Sequence, residues 1–258
     1  MGTRSAVATL KGDAMRFVAT TGSGHSRRQP EPPDASPYRA LRAPDRSTAP
    51  ALSDEGGSSG LTRRERWDER HATGAPVESY DPDPTLIDEV TALRPGRALD
   101  LGSGDGRNAV WLASRGWIVT AVDFSSVGLD RGRALATDRG VEIEWVRADL
   151  LEWEPPQREF DLVTLFFIHL PPDERHVVFA RAASAVARGG TLLIVAHDRT
   201  NLTDGVGGPQ DPDVLVSADE VAAELHGFEV QRAEAVRRPS TGRGGPIDAV
   251  VRAVRQTD

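Results

Sequence analysis

The sequence predicts a doubly wound α/β fold, a mostly parallel sheet covered by helices on both faces and ending in an antiparallel hairpin. Three observations predict it. From Pro95 onward, short and nearly continuous apolar runs alternate with helical patterns, as expected of strands buried on both faces. One of these runs passes directly into a glycine-rich turn and then a helix. The last two runs have no helix between them, so they pair as antiparallel neighbours.

The elements follow in order. Thr62 to His71 reads as a short charged helix, with Thr62 as N-cap, Glu65 three residues on and Trp67 as its one large apolar residue. Pro84 stands where a second helix begins, and Leu86, Ile87, Val90 and Leu93 share one face of it. Strands are expected at Ala98–Leu101, Trp117–Val122, Val141–Val146, Phe160–Phe167 and Thr191–Ala196. Helices are expected at Asn108–Ser114, from Ser125 to Arg139, at Pro172–Ala187 and from Ser217, where Glu220 completes a capping-box spacing. Gly128 and Gly132 fall inside the Ser125 helix, where each costs ~1 kcal/mol relative to Ala. Phe228–Ala235 and Ile247–Val254 form the closing hairpin around the turn Thr241 to Gly245.

Residues 1–60 read differently. Their only aromatics are Phe17 and Tyr38, six prolines interrupt them, and they end in Asp-Glu-Gly-Gly-Ser-Ser-Gly. Such a segment buries too little surface to offset its ordering entropy, so it is expected to be a disordered extension of a domain spanning 61–258. Across the chain, 38% hydrophobic and 27% charged residues fit a soluble globular protein. No apolar run approaches the ~18 residues of a membrane helix, and charges break up the first residues before a secretory core can form. A cytoplasmic protein with no membrane partner is the expectation. Cysteine is absent, which removes disulfides, Cys-ligated zinc, iron–sulfur clusters and thiol catalysis together; no metal site is expected. The net charge of −8 argues against a nucleic-acid partner, which would favour a basic face.

The chemistry concentrates in Ala98 to Asn108, ALDLGSGDGRN. Gly102, Gly104 and Gly106 let the backbone turn sharply and approach a ligand, and the helix that follows aims free N–H groups at the same place. A dinucleotide fingerprint needs G-x-G-x-x-G/A, and counting from Gly102 its third glycine falls on Arg107. The turn is instead G-x-G-x-G, with Asp100 two residues upstream.

That arrangement resembles motif I of the class I S-adenosylmethionine-dependent methyltransferases. Three further landmarks sit at familiar spacing: Asp123 closing the second strand, Asp149 after the third, and Arg188-Gly189-Gly190-Thr191 opening the fifth. The resemblance covers about Trp67 to Val254 and implies a Rossmann-like sheet of seven strands, one of them antiparallel. It implies S-adenosylmethionine as cofactor, held by Asp100, Gly102, Ser103, Gly104, Gly106, Asn108, Asp123, Phe124, Asp149 and Leu150. In those terms Asp100 meets the cofactor's ammonium end, Asp123 the ribose hydroxyls, Phe124 the adenine face and Asp149 the exocyclic amine. A carboxylate in the position of Asp123 also serves nicotinamide enzymes, so it does not separate the two classes by itself. Arg66-Trp67-Asp68-Glu69-Arg70-His71 is similar to the start of small-molecule methyltransferases near the tellurite-resistance and thiopurine types. The implied reaction is in-line methyl transfer to a small-molecule acceptor: a thiol, a metalloid anion or a hydroxyl. A non-catalytic cofactor-binding sensor of the same fold is the alternative.

Ligands bind outside the carboxyl ends of strands in such sheets, which brings His169 and His197 to the substrate as candidate catalytic bases. The bland reading is a pair of loop histidines bonded to backbone. Asp198 is a weaker candidate to orient His197, and Arg70 to meet the cofactor carboxylate. Trp67 reads equally well as a cavity wall and as a helix anchor. Leu170-Pro171-Pro172-Asp173 lacks the polar acceptor and the aromatic ring found in enzymes that methylate exocyclic amines, so Pro172 reads as a helix start. The stretch from Asn201 to Leu215, rich in Gly and Pro, is expected to close over the site as a lid.

Overall fold

The computed structural model describes residues 61–73, 81–239 and 244–257. The 1–60 extension and the tip of the last turn, 240–243, lie outside these residues.

Seven strands form one sheet: β1 (Arg97–Leu101), β2 (Ile118–Asp123), β3 (Glu144–Arg147), β4 (Phe160–Phe166), β5 (Val186–His197), β6 (Phe228–Arg237) and β7 (Ile247–Arg255). Their order is β3-β2-β1-β4-β5-β7-β6. β3 through β5 run parallel, and β7 inserts antiparallel between β5 and β6. The chain therefore winds outward from β1 in both directions, and the turns after β1 and β4 leave the same edge side by side.

Alternation along β1 assigns the faces. Leu99 and Leu101 pack with α5 (Pro172–Ala185) and α7 (Ala218–Glu224) through Val178, Phe179, Ala182 and Val221. Ala98 points the other way, into a cluster with Leu86 and Val90 of α2 (Pro84–Val90) and Ala109 and Leu112 of α3 (Arg107–Ser114). Val110 of α3 meets Leu135 and Ala136 of α4 (Ser126–Asp138) on that side. The first helix, α1 (Arg63–Ala72), is started by the Thr62–Glu65 capping box, and α7 by its Ser217–Glu220 counterpart. Pro84 sits at the first turn of α2 with Asp83 as N-cap.

Most boundaries fall within a residue or two of the sequence pattern, and the larger differences have physical causes. β3 begins at Glu144 rather than Val141, because Val141 is still bonded back to Ala136 across the Gly140 turn. α5 stops at Ala185, where Val186 leaves the helix and pairs with Phe160, so β5 starts five residues before Thr191. The 201–215 stretch is not a plain loop: it holds a one-turn helix, α6 (Asn201–Asp204), and a 3₁₀ turn at Pro212–Val214.

The two glycines inside α4 have a steric reason. A Cβ on Gly132 would stand 2.5 Å from the Trp145 indole, and one on Gly128 would stand 2.8 Å from the carbonyl oxygen of Gly104. These glycines let α4 press against β3 and the turn after β1. Gly128→Ala should therefore destabilise the protein despite its better helix propensity: overpacking costs about 1–3 kcal/mol, against a propensity gain of ~1 kcal/mol. Denaturant unfolding measures the balance, and a more stable Gly128→Ala protein would contradict the close approach.

Candidate active site

The turn between β1 and α3 depends on left-handed backbone at Gly102, Gly104 and Gly106, with φ of 68°, 55° and 74°. Its conformation is tied to the end of β2. The N–H groups of Gly102 and Ser103 donate to Val122 O at 2.8 and 3.0 Å, and Gly104 N–H donates to Asp123 Oδ2 at 2.8 Å. The other oxygen of Asp123 accepts from Ser125 N–H at 2.8 Å. One carboxylate thus holds the glycine turn and the start of α4 together. Burial pushes the Asp123 carboxyl above its ordinary range, against the pull of these two N–H groups and of the nearby His71.

Asp100 is 2% exposed at the end of β1. Thr164, its register partner on β4, donates its hydroxyl to Asp100 Oδ1 at 2.8 Å. Oδ2 is buried with no hydrogen-bond partner, and so is the hydroxyl of Ser103. Desolvation, opposed by the Thr164 hydrogen bond and reinforced by the Asp123 charge, pushes the Asp100 carboxyl up to about 7. Buried polar atoms ordinarily find partners, so two orphans beside a glycine turn mark the place of a polar, positively charged ligand group. The ammonium end of S-adenosylmethionine has that chemistry, and the residues fit it.

The remaining cofactor candidates divide. Phe124 is half-buried after β2, and Asp149 and Leu150 follow β3, with Asp149 Oδ1 accepting from Leu151 N–H at 3.0 Å. Leu150 lies toward Gly102, and Arg181 donates to its carbonyl. Asn108 is buried, but its Oδ1 accepts from Asp83 N–H at 2.9 Å, which makes it an anchor for α2. α1 also contributes His71 and Asp68, to which the sequence pattern assigned no contact. His71 packs on the turn, where a Cβ on Gly104 would lie 3.1 Å from its ring, and its carbonyl accepts from Arg131 of α4. Asp68 accepts from the Ser125 hydroxyl. Arg70 lies over the Trp67 ring on the same helix, 4.9 Å from its centroid.

The turn after β4 builds the other half of the site. Phe167 takes a left-handed φ of 56°, which is strained for a bulky residue and concentrates at functional edges. Ile168 covers Gly102. The His169 ring stacks on His197 with centroids 5.2 Å apart and planes 8° from parallel. His169 Nε2 is buried without a partner, and desolvation, the His197 charge and Arg70 lower the ring's pKa to about 3. His197 is 1% exposed, with Nδ1 3.2 Å from Asp248 Oδ1 and off the line of a full hydrogen bond. Asp198 turns away, accepting from the Thr200 backbone and hydroxyl.

The 201–215 stretch is seated on this group rather than held open above it. A Cβ on Gly208 would stand 2.8 Å from the His197 ring. Asn201, buried, donates to Gly207 O and accepts from Ile247 N–H, which ties the stretch to β7.

This sheet order, with an acidic strand end leading into the glycine turn, is the Rossmann-like arrangement shared with solved S-adenosylmethionine-dependent methyltransferases such as that of Mesorhizobium loti, which superposes with a TM-score of 0.55 at 21% identity, covering 70% of this chain and 99% of that one. Residues 98–190 match the family described as "Methyltransferase domain". Over 122 residues the chain is 34% identical to an uncharacterised methyltransferase of Mycobacterium tuberculosis H37Rv, covering 47% of this chain and 60% of that protein. Over 138 residues it is 30% identical to a ubiquinone biosynthesis O-methyltransferase of Stutzerimonas stutzeri, covering 52% and 59%. The chain spans about three-fifths of the length of these relatives. Among solved structures, TehB from Haemophilus influenzae superposes with a TM-score of 0.57 at 17% identity, covering 75% of this chain and 67% of that one.

A ligand whose ammonium end meets Asp100 should bind with a pH-dependent affinity. With its carboxyl raised to about 7, Asp100 holds a proton below that pH, and an ammonium group beside it favours the charged form. Ligand binding then releases the proton. Affinity for S-adenosylhomocysteine should rise as pH increases through about 7, by up to about tenfold per pH unit below it, and turn down only where the ligand's own ammonium deprotonates. Calorimetry across this range measures it, and Asp100→Asn should flatten the rise; an equal pH dependence in the variant would assign it to another group.

Proposed function

We propose that the protein is an S-adenosylmethionine-dependent methyltransferase acting on a small-molecule acceptor. The observation that carries the reading is the pair of buried, unpartnered polar atoms, Asp100 Oδ2 and Ser103 Oγ, beside a turn whose glycines keep side chains out of the space in front of it. When bound, S-adenosylmethionine supplies a methyl group already activated as a sulfonium substituent. The protein's share is alignment and exclusion of water. Asp100 and Ser103 receive the amino-acid end, Asp123 the ribose hydroxyls, Phe124 the adenine face and Asp149 its exocyclic amine. Each Asp123 oxygen is engaged by one N–H group, which leaves acceptor capacity for the ribose.

A small acceptor is supported by the cover the chain supplies for itself. α1 lies over the glycine turn through His71, and the 201–215 stretch closes on His197. The O-methyltransferase name of one relative points the same way. His169 is the residue we assign to the acceptor. A ring kept neutral, with a bare Nε2, can accept a hydrogen bond from a hydroxyl or thiol and hold its proton as the methyl arrives. His197 stands behind it, enclosed by Gly208 and Asp248, and supports rather than touches the acceptor.

Incubation with S-adenosylmethionine and a panel of thiols, phenols and metalloid oxyanions should yield S-adenosylhomocysteine above the acceptor-free rate with at least one of them. Tight cofactor binding with no product from any would favour the sensor reading. Asp123→Ala should weaken S-adenosylhomocysteine binding tenfold or more, since hydrogen bonds to a charged acceptor contribute about 1.5–3 kcal/mol each. Unchanged affinity in a folded variant would move the ribose elsewhere.

A further inference from the structure

Behind His169 lies a buried polar series that cofactor binding does not require. Register places His197, the last residue of β5, opposite Asp248 of β7. Both side chains are almost fully buried, at 2% and 1% exposure. Asp248 is also ion-paired with Arg238, which leaves the end of β6: Nε contacts Oδ2 and Nη2 donates to Oδ1 at 3.3 Å. Arg238 lies over the Phe167 ring, 5.1 Å from its centroid, and Phe167 is 5.2 Å from the His197 ring. The far edge of His197 is closed by Gly208, where any side chain would collide with the ring.

Burying a carboxylate, an arginine and a histidine together costs several kcal/mol per ion unless their contacts compensate. A core that only needed filling would use apolar residues here, as it does at the neighbouring register pairs Ala196–Ala249 and Val195–Val250. The series leads to His169, stacked flat on His197, whose Nε2 is buried without a hydrogen-bond partner and without an ion pair.

We propose that Asp248 and Arg238 are positioning residues for the acceptor site: they fix the His197 ring, and His197 in turn fixes His169 with its unpartnered Nε2 presented, neutral, to the acceptor's O–H or S–H. This rests on the methyltransferase reading for its purpose, though not for its geometry. The groups facing the two rings are Arg70 from α1, Phe167 after β4, Asp248 from β7 and Arg238 after β6. Burial, the neighbouring His197 ring and Arg70 oppose protonation of His169, and Asp248 lies 3.2 Å from His197 Nδ1. A proton taken up at Nε2 is therefore poorly held, and it passes to solvent as the methylated product leaves.

The sign of the coupling gives the test. Asp248→Asn keeps the shape and weakens the hold on the His197 ring, so His169 should be less tightly desolvated and easier to protonate. Side-chain NMR of the full-length protein, with imidazole nitrogens followed over pH and no acceptor present, reads this directly. The wild-type His169 ring should remain neutral well below the ordinary histidine value of 6.5, and in Asp248→Asn its midpoint should move upward toward that value. His197→Phe keeps an aromatic ring and removes the charge. It should move the midpoint the same way, and it serves where Asp248→Asn does not fold. Affinity for S-adenosylhomocysteine, measured alongside, should change less than about twofold in both, because none of these residues is in the cofactor cradle. An unshifted His169 midpoint in both variants, or a wild-type midpoint near 6.5, overturns the proposal. Loss of cofactor binding by the wild type would instead overturn the methyltransferase reading and leave the histidine coupling standing.

Discussion

The close approach of the turn 102–106 to α4 is the constraint on which the rest of the site depends. Gly128 admits the carbonyl of Gly104, Gly106 and Gly132 admit the Trp145 ring, and Asp123 bonds the turn on one side and Ser125 on the other. Side chains are excluded from this seam, so backbone N–H groups and carboxylates face the space beyond it. α1 is then laid across the same seam, with His71 against the turn and Asp68 on Ser125. A methyl added at Gly128 meets the backbone of the turn itself, whereas one at Gly106 or Gly132 meets the Trp145 ring.

The same compactness carries an electrostatic cost. Asp100 and Asp123 lie at the ends of adjacent parallel strands and are both buried; burial raises the cost of ionising each, and the Asp123 charge adds to it at Asp100. The fold supplies partial relief through the Thr164 hydroxyl and two backbone N–H groups. It does not complete the set, since Asp100 Oδ2 has no partner. Sites that must bind a cation commonly hold a carboxylate in this unfinished state, which costs stability and is repaid on binding. At the far end of the cleft the sign is reversed. His169 sits between His197 and Arg70, so proton binding there is opposed. The two halves of one edge thus differ electrostatically, with an unpartnered acid at Asp100 and a ring kept neutral at His169.

How much of this was legible in the sequence follows from the range of the interactions. The strand–glycine turn–helix unit, both capping boxes and the unhelical hairpin are local, and Asp100, Asp123 and His169 stand where the pattern put them. Gly128 and Gly132 read as flaws in α4, because their partners, Gly104 and Trp145, are distant in the chain. Asn108 looked like part of the cradle, but its bond to Asp83 N–H is a tertiary contact. The Gly- and Pro-rich 201–215 stretch looked like a mobile lid, and the residue that pins it, Asn201, shows its purpose only once Ile247 is brought beside it. Asp248 is one acid among many in the sequence until antiparallel register sets it opposite His197.

The central claim is that Asp100 is an unsatisfied buried acid waiting for a cationic ligand group. Carboxyl-carbon NMR of Asp100, titrated with and without S-adenosylhomocysteine, tests it most directly. The account predicts a midpoint near 7 in the free protein and a marked fall when the ligand binds. A midpoint in the free protein near the ordinary 3.8, or one that the bound ligand leaves unmoved, would contradict it.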